Sequence, residues 1–344
     1  MLRALLYPFS LIYSSVAWLR NRLYDQHVFK STTPAIQTVV VGNLTVGGTG
    51  KSPHIEYLIR LLQSDYNIVV LSRGYGRKTK GFLWAEANSG PEDIGDEPMQ
   101  IHQKFDNIRV AVCEDRIRGI EIIQKDHPAC NLVLLDDAFQ HRKLQSKINI
   151  LLSSYYQPYY ADTFLPHGRL RDNKREKSRA QAIVISKSPK LLDDQERINI
   201  IKKVDAGNDQ RVFFSSIRYE TPIDLVGNKL ESRGKICLIT GIADPSPLTN
   251  HLASSDFEVL NHFKFADHHN FSKNDLLNIS ENMTKLAQDG MVLLTTEKDF
   301  VKLNSINQGL KSPLPLYYIP ITMEFHSTGV SSFDEYMIKT LKNA

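Results

Sequence analysis

The chain has 344 residues, 42% hydrophobic and 23% charged, with no low-complexity tract or internal repeat, which excludes wholesale disorder and repeat architectures. A formal charge of +4 suits phosphates or an anionic membrane and is too small to demand nucleic acid. Cys113, Cys130 and Cys237 are too scattered for a zinc site or a C-x-x-C pair, and read as reduced, buried small hydrophobes of a cytosolic protein.

In chain order, Leu2, Leu5, Phe9, Ile12, Val16, Leu19 and Leu23 recur at alternating steps of three and four, which is one face of a helix. Trp18, Tyr7 and Tyr13 add amphipathic rings, and Arg3, Arg20 and Arg22 sit at the two ends. The uncharged run from Ala4 to Leu19, interrupted by Pro8 and serines, is shorter than the roughly 20 apolar residues that cross a bilayer. Two readings stay open: a helix lying in the membrane interface, or one docking its stripe on its own domain. No small-residue cleavage site follows, which argues against a signal peptide.

Short apolar runs then alternate with helical patterns. "TVVVGN", "NIVVLSRGYG", "IRVAVCEDR", "NLVLLDD", "INILLSS" and "AIVISK" are strand-length, and Ile55, Leu58, Ile59 and Leu62, like Ile117, Ile120 and Ile123, repeat at helical spacing. Near-continuous apolar strands separated by helices predict an α/β fold, a P-loop NTPase-like parallel sheet sandwiched by helices. The rhythm restarts near Tyr219 with "GKICLITGIADPSP", "FEVLNHFKF", "MVLLTTEKDF" and "PLYYIPITMEF". The expected division is an amino-terminal helix (1–30), a P-loop domain (31–219), a smaller α/β domain (220–325) and a final helix (326–344).

Ligands of such sheets sit beyond the carboxyl ends of the strands, so the polar residues there matter most. "NLTVGGTGKSPH" follows one strand and opens a helix, the context of a phosphate-binding loop. Thr45, Val46, Gly47, Gly48, Thr49, Gly50, Lys51 and Ser52 form the expected cradle: glycine N–H groups and the helix start face phosphate, Lys51 reaches the β and γ phosphates, and the Ser52 hydroxyl binds Mg²⁺. The usual pattern has glycine where Thr45 stands, so Thr45 must keep a negative φ. Such a loop needs an acid on a neighbouring strand to order the metal, and Asp136 and Asp137 close the apolar run Leu132 to Leu135.

In "GDEP", Asp96 precedes a helix as either N-cap or general base, and spacing favours the cap. "ADHHNFS" carries His268 and His269; a metal-phosphoesterase reading lacks the remaining ligands. Basic residues concentrate in "HGRLRDNKREKSR" and around "RGYG", where arginine forks suit a phosphorylated acceptor. Neither cluster interleaves aromatics as single-strand nucleic-acid platforms do.

Together, "VGNLTVGGTGKSPH", "SRGYG", "GDEP", "EDR", "LLDDAFQH", "LPHGRLRD", "TGIADP", "FADHH" and "TTEKD" resemble, in order, the tetraacyldisaccharide 4′-kinases of lipid A biosynthesis. The resemblance implies transfer of the ATP γ-phosphate to the 4′-hydroxyl of a lipid A disaccharide 1-phosphate, at the cytoplasmic face of the inner membrane. It implies ATP and Mg²⁺, with Lys51 and Ser52 at the nucleotide and Asp136 and Asp137 at the metal. It makes Asp96 the base and His268 its partner, and adds Arg116, Tyr75, Gln140, His141 and Arg171 as further active-site positions. Ser52, Ala138, Asp172 and Arg169 depart from the residues usual in that pattern, Thr, Gly, Glu and Pro, without removing a catalytic group. The competing readings are a P-loop small-molecule kinase or ligase and a nucleotide-dependent switch; the latter wants an N-K-x-D loop or metal-binding Cys/His pairs, and neither is present.

Overall fold

Val39 and Val41 pack on one face of a sheet and Val40 on the other, and both faces are buried, which is why this strand reads as an unbroken apolar run. The computed structural model describes residues 6–230, 234–267, 269–286, 290–327 and 332–343. The chain divides into two units, Met1–Ile217 with Met323–Ala344, and Arg218–Thr322. The first holds α1 (Tyr7–Asp25), β1 (Gln37–Asn43), α2 (Lys51–Leu62), β2 (Ile68–Ser72), β3 (Leu83–Trp84), α3 (Pro91–Ile94), α4 (Asp96–Lys104), β4 (Arg109–Val112), α5 (Arg116–Asp126), β5 (Leu132–Asp136), β6 (Ile148–Ser154), β7 (Ala182–Ser186), α6 (Asp194–Val204) and most of β8 (Arg211–Tyr219).

The second unit contains β9 (Lys235–Thr240), α7 (Ser246–Ala253), β10 (Glu258–Lys264), α8 (Lys273–Leu286), β11 (Val292–Thr296), α9 (Glu297–Gln308) and β12 (Leu316–Ile319). Its four strands lie in the order β10-β9-β11-β12, all parallel. The chain then adds β13 (Ile321–Phe325) and α10 (Phe333–Lys342). The large sheet runs β13-β8-β7-β6-β1-β5-β2-β4-β3, parallel from β8 through β4, with β3 antiparallel at one edge. One face is covered by α2 (Ile55, Leu58, Ile59, Leu62) and by Phe333, Met337 and Leu341 of α10; the other by Ile120 and Ile123 of α5 and Ile200 of α6. Each such side chain contributes roughly 1.5–3 kcal/mol on burial.

β1 lies between the acid-bearing β5 and β6, with Val41 opposite Asp136. Phe139, after the acids, packs so close that a β-carbon on Gly42 would lie 2.6 Å from its Cβ and 3.0 Å from its backbone nitrogen. Only glycine lets the strand before the phosphate loop and the turn after the acids approach this far.

The helix α1 inverts the usual amphipathic arrangement. Its buried residues are Ser10, Asn21 and Tyr24, whereas Phe9 is 61%, Ile12 63% and Val16 64% exposed. Docking through the stripe is therefore not what the structure shows; Leu2 and Leu5 lie outside the described residues. Polar bonds attach the helix instead: Ser10 Oγ donates to the Phe164 carbonyl (3.0 Å), Tyr13 Oη to that of Arg171 (3.0 Å), Arg20 to that of Gln140 (2.9 Å), and Asn21 Nδ2 to the buried Asp172 carboxylate (2.6 Å). Such bonds each contribute about 0.5–1.5 kcal/mol net, so the helix is held without covering its apolar side. No described helix is long and apolar enough to cross a membrane.

Replacing Gly42 by Ala should destabilise the protein by about 1–3 kcal/mol in chemical denaturation, because two backbone segments must separate to admit one methyl group; an unchanged midpoint would contradict the packing described.

Candidate active site

The phosphate loop is fixed at its ends, and within it the Thr49 N–H donates to the Gly47 carbonyl (3.1 Å). Thr45 pairs its backbone with Leu170, the Val46 N–H donates to the Arg169 carbonyl (2.8 Å), and the Arg171 N–H to that of Leu44 (2.9 Å). Thr45 is not among the positive-φ residues, so the first loop position is tied to a neighbouring strand-like segment and tolerates a β-carbon. Asn43 Nδ2 donates to Thr49 Oγ1 (2.9 Å), and Ser186 Oγ to the Thr49 carbonyl (2.8 Å). Gly47 and Gly50 take φ of 106° and 82°, and no side chain caps α2, which starts at Lys51. Its first-turn N–H groups are thus oriented for an anion, helped by the positive end of the helix dipole.

His54, one turn into α2, supports the loop from behind. Its Nδ1 lies 2.6 Å from the Gly50 carbonyl and its Nε2 3.0 Å from Ser215 Oγ. A carbonyl only accepts, so Nδ1 carries the proton and Nε2 accepts from the serine. Burial pushes its pKa down to about 4, so the ring stays neutral.

The two acids behave oppositely. Asp136 is 1% exposed, and neither oxygen of its carboxylate has a hydrogen-bond partner among the described residues. Burial, then the Glu97 carboxylate, push its pKa up to about 8 against the pull of Lys51 and Arg116. Asp137 is half-buried with φ 47°. Burial raises its pKa, but hydrogen bonds from Arg171 and the Lys51 charge outweigh this and hold it below the usual range. Arg171 Nη1 donates to Asp137 Oδ2 (2.9 Å) and Nη2 to Oδ1, while Lys51 Nζ stands 4.0 Å from Oδ1. Arg171 Nη2 also reaches Asn43 Oδ1 (2.5 Å), and Gln140 Nε2 donates to the Asn43 carbonyl (2.8 Å).

Arg116, 2% exposed, begins α5 and donates from Nη1 to the carbonyls of Cys113 (3.1 Å) and Glu114 (2.9 Å), with both acids in its field. His141 Nε2 sits 3.9 Å from Asp115 Oδ1, outside hydrogen-bond reach; burial and then Arg116 lower its pKa to about 4. Gly95, not Asp96, is the N-cap residue of α4: its φ is 94°, and a β-carbon there would meet the Tyr75 carbonyl oxygen at 2.9 Å. This corrects the capping expectation for Asp96, which is the first residue of the helix, half-buried. The "RGYG" loop is thereby brought against the start of α4, with the Tyr75 side chain 77% exposed.

The basic run is mostly turned inward, against the expectation of forks offered to an acceptor. Arg169 bonds Asp162 (2.7 Å) and Gln157, Lys174 the Tyr160 carbonyl (2.8 Å), Lys177 the Val204 carbonyl (2.7 Å) and Asp205, and Arg179 Glu176 (2.7 Å) and the Phe139 carbonyl (2.8 Å). These cations organise the 157–179 segment; Arg175 remains exposed. Lys51, Ser52, Arg116, Gln140, Asp136, Asp137 and Arg171 thus converge on the strand ends, and His268 lies outside the described residues. Sequence reading passed over three residues. Glu97 stands beside Asp96, His54 interrupts an apolar helical period, and Lys187 directly follows a strand, where polar residues of a parallel sheet meet ligands.

A sequence profile described as tetraacyldisaccharide-1-P 4′-kinase matches residues 2–341. The chain belongs to this kinase family. It is 40% identical over 331 residues to the tetraacyldisaccharide 4′-kinase of Phocaeicola vulgatus, covering 93% of this chain and 90% of that one. It is 40% identical over 330 residues to the one from Flavobacterium johnsoniae, covering 94% and 93%. The fold is similar to the crystal structure of LpxK from Aquifex aeolicus in complex with ATP, with a TM-score of 0.76, 27% identity, and coverage of 100% and 99% of the two chains. The P-loop α/β architecture is thus shown, and the chain is an enzyme, a phosphotransferase of this kinase family.

The raised pKa of Asp136 makes a pH prediction. The folded state binds a proton there that the unfolded state releases near pH 3.8, so stability falls as pH rises from 3.8 to about 8. Buried neutral His54 and His141 act oppositely, adding stability as pH rises from about 4 to 6.5, so the Asp136 contribution is read above pH 6.5. In thermal unfolding of the ligand-free protein, Asp136→Asn should flatten the decline between pH 6.5 and about 8; an unaltered slope would show that this carboxyl is not held protonated.

Proposed function

We propose that this chain transfers the γ-phosphoryl group of ATP to the 4′-hydroxyl of a lipid A disaccharide 1-phosphate, as a peripheral protein on the cytoplasmic leaflet of the inner membrane. One arrangement carries the reading: an uncapped helix start under a glycine loop, beside the buried Asp136 carboxylate, which has no hydrogen-bond partner among the described residues. The ATP complex of the Aquifex aeolicus relative supports ATP as the donor here. Mg²⁺ fits the donor set, since the Ser52 hydroxyl, the Asp136 carboxylate and nucleotide phosphates are hard oxygen ligands, and this ion habitually keeps waters and needs few protein groups. When bound, it would neutralise charge on the β and γ phosphates.

The protein's part is positioning and charge. Lys51 meets the β and γ phosphates, and Asp137, held between Arg171 and Lys51, orients that lysine. Arg116 supplies a buried cation beside the acids. Asp96 takes the proton of the 4′-hydroxyl as its oxygen bonds to the γ-phosphorus. The bond from that phosphorus to the bridging oxygen breaks, and ADP leaves with the electron pair. Tyr75 and His141 contact the acceptor, and Gln140 and Arg171 act through Asn43 and Asp137. The exposed stripe of α1 rests in the leaflet that holds the lipid.

Purified protein given labelled ATP and a lipid disaccharide 1-phosphate in detergent should produce a labelled lipid; label released only as free phosphate would favour a nucleotide-driven switch. Asp96→Asn should lower kcat by about 10²- to 10⁴-fold while leaving nucleotide affinity near wild type, and wild-type turnover would remove Asp96 from the mechanism.

Replacing Phe9, Ile12 and Val16 together by Asp should abolish flotation with anionic phospholipid vesicles while leaving the unfolding midpoint almost unchanged, since all three are exposed. Retained flotation would sink the membrane reading.

A further inference from the structure

The acids lie on one flank of the phosphate loop, and the opposite flank carries a feature the mechanism above does not use. In the sheet, β5 borders β1 on one side, and β6 followed by β7 lie on the other. β7 ends in Ser186, 0% exposed, which fastens the loop through the Thr49 carbonyl (2.8 Å). The next residue, Lys187, has φ 59°, a left-handed conformation that costs a residue with a β-carbon about 1–2 kcal/mol. Ser188 then restores regular bonding, its N–H donating to the Ser215 carbonyl (2.8 Å) and its Oγ to that of Ile185 (2.9 Å).

The left-handed turn sends the lysine over the loop. Lys187 Nζ lies 3.8 Å from the point a β-carbon on Gly48 would occupy, and among the described residues no other atom beyond the adjoining residues comes within 4 Å of that point. Gly48 does not have a positive φ, so its backbone does not require glycine. The missing side chain instead leaves the loop open, with an ammonium group at the rim of the opening. On the proposed reading Lys51 and the acids form the transfer end of the site, which leaves the flank where β7 ends for the rest of the nucleotide. An ammonium there is a compact charge with three donors, suited to phosphate oxygens.

We infer that Lys187 is a second nucleotide-binding lysine, acting on the part of the nucleotide that ATP and ADP share and not on the group transferred. The inference rests on the reading of the loop as a nucleotide site. Lys51 binds at the transfer end, where the acids and metal act; Lys187 binds at the other, so the triphosphate is gripped by cations from both flanks.

The test uses Lys187→Gly, which keeps the left-handed backbone at no steric cost and removes the amine, with Lys187→Arg to restore charge and Lys51→Met as reference. Affinities for ADP and for a non-hydrolysable ATP analogue are measured by calorimetry in the full chain, alongside unfolding midpoints. Lys187→Gly should weaken both nucleotides by about tenfold, by loss of a charge-assisted contact, with a midpoint no lower than wild type. The loss should appear in KM for ATP more than in kcat, and Lys187→Arg should recover most of it. Wild-type binding of both nucleotides by Lys187→Gly, with binding lost in Lys51→Met, overturns the inference and leaves the loop reading intact. Wild-type binding in both variants overturns the loop reading itself. Weakening of the ATP analogue with ADP unaffected also overturns the inference, because it assigns the lysine to the transferred group.

Discussion

The contact between Arg171 and Asp137 is the constraint on which the site depends. Asp137 directly follows the buried strand β5 in a left-handed conformation, and its half-buried carboxylate is stabilised by a cation beside it. Arg171 supplies that cation and, with the same guanidinium, takes hold of the Asn43 side chain at the end of β1. One residue therefore joins the phosphate-loop strand, the acid strand and the 163–172 loop. That loop carries the carbonyls of Phe164 and Arg171 on which α1 hangs, so the exposed apolar stripe is referenced to the same point as the acids.

Asp136 and Asp137 are neighbours in sequence yet titrate in opposite directions because the end of the strand sends them into different surroundings. One is sealed among apolar strands with Glu97 adding repulsion; the other meets two cations. This split suits phosphoryl transfer. The Asp137 carboxylate is matched by Arg171 and Lys51, while that of Asp136 has no hydrogen-bond partner among the described residues and, on the proposed reading, would keep its oxygens for the charge that arrives with the nucleotide.

Much of this was legible in the sequence. Strand-length apolar runs, the glycine loop between a strand and a periodic helix, and the acid pair closing "NLVLLDD" obey local rules, and the sheet follows from them. The residues that escaped notice act through tertiary geometry. His54 looks like a core histidine until its ring is seen to span from Gly50 to Ser215, and Lys187 looks like a surface lysine until its φ turns it over Gly48. The basic run shows the opposite failure. Its charge density was plain, but whether an arginine faces outward or inward depends on carbonyls and carboxylates distant in sequence, such as Phe139 and Asp162. The stripe on α1 left two readings open for the same reason, since periodicity reports which residues share a helix face and says nothing of which face the protein covers.

The manner in which α1 is attached has a geometric consequence. Its anchors, Ser10, Tyr13, Arg20 and Asn21, are spread along three turns of the helix and each is fixed to a backbone or carboxylate oxygen of the site's own loops. The helix can therefore neither slide nor roll without breaking them. On the proposed membrane reading, the height of the phosphate loop above the acyl region becomes a fixed length of the protein. A hydroxyl would then be selected by how far it stands above the leaflet.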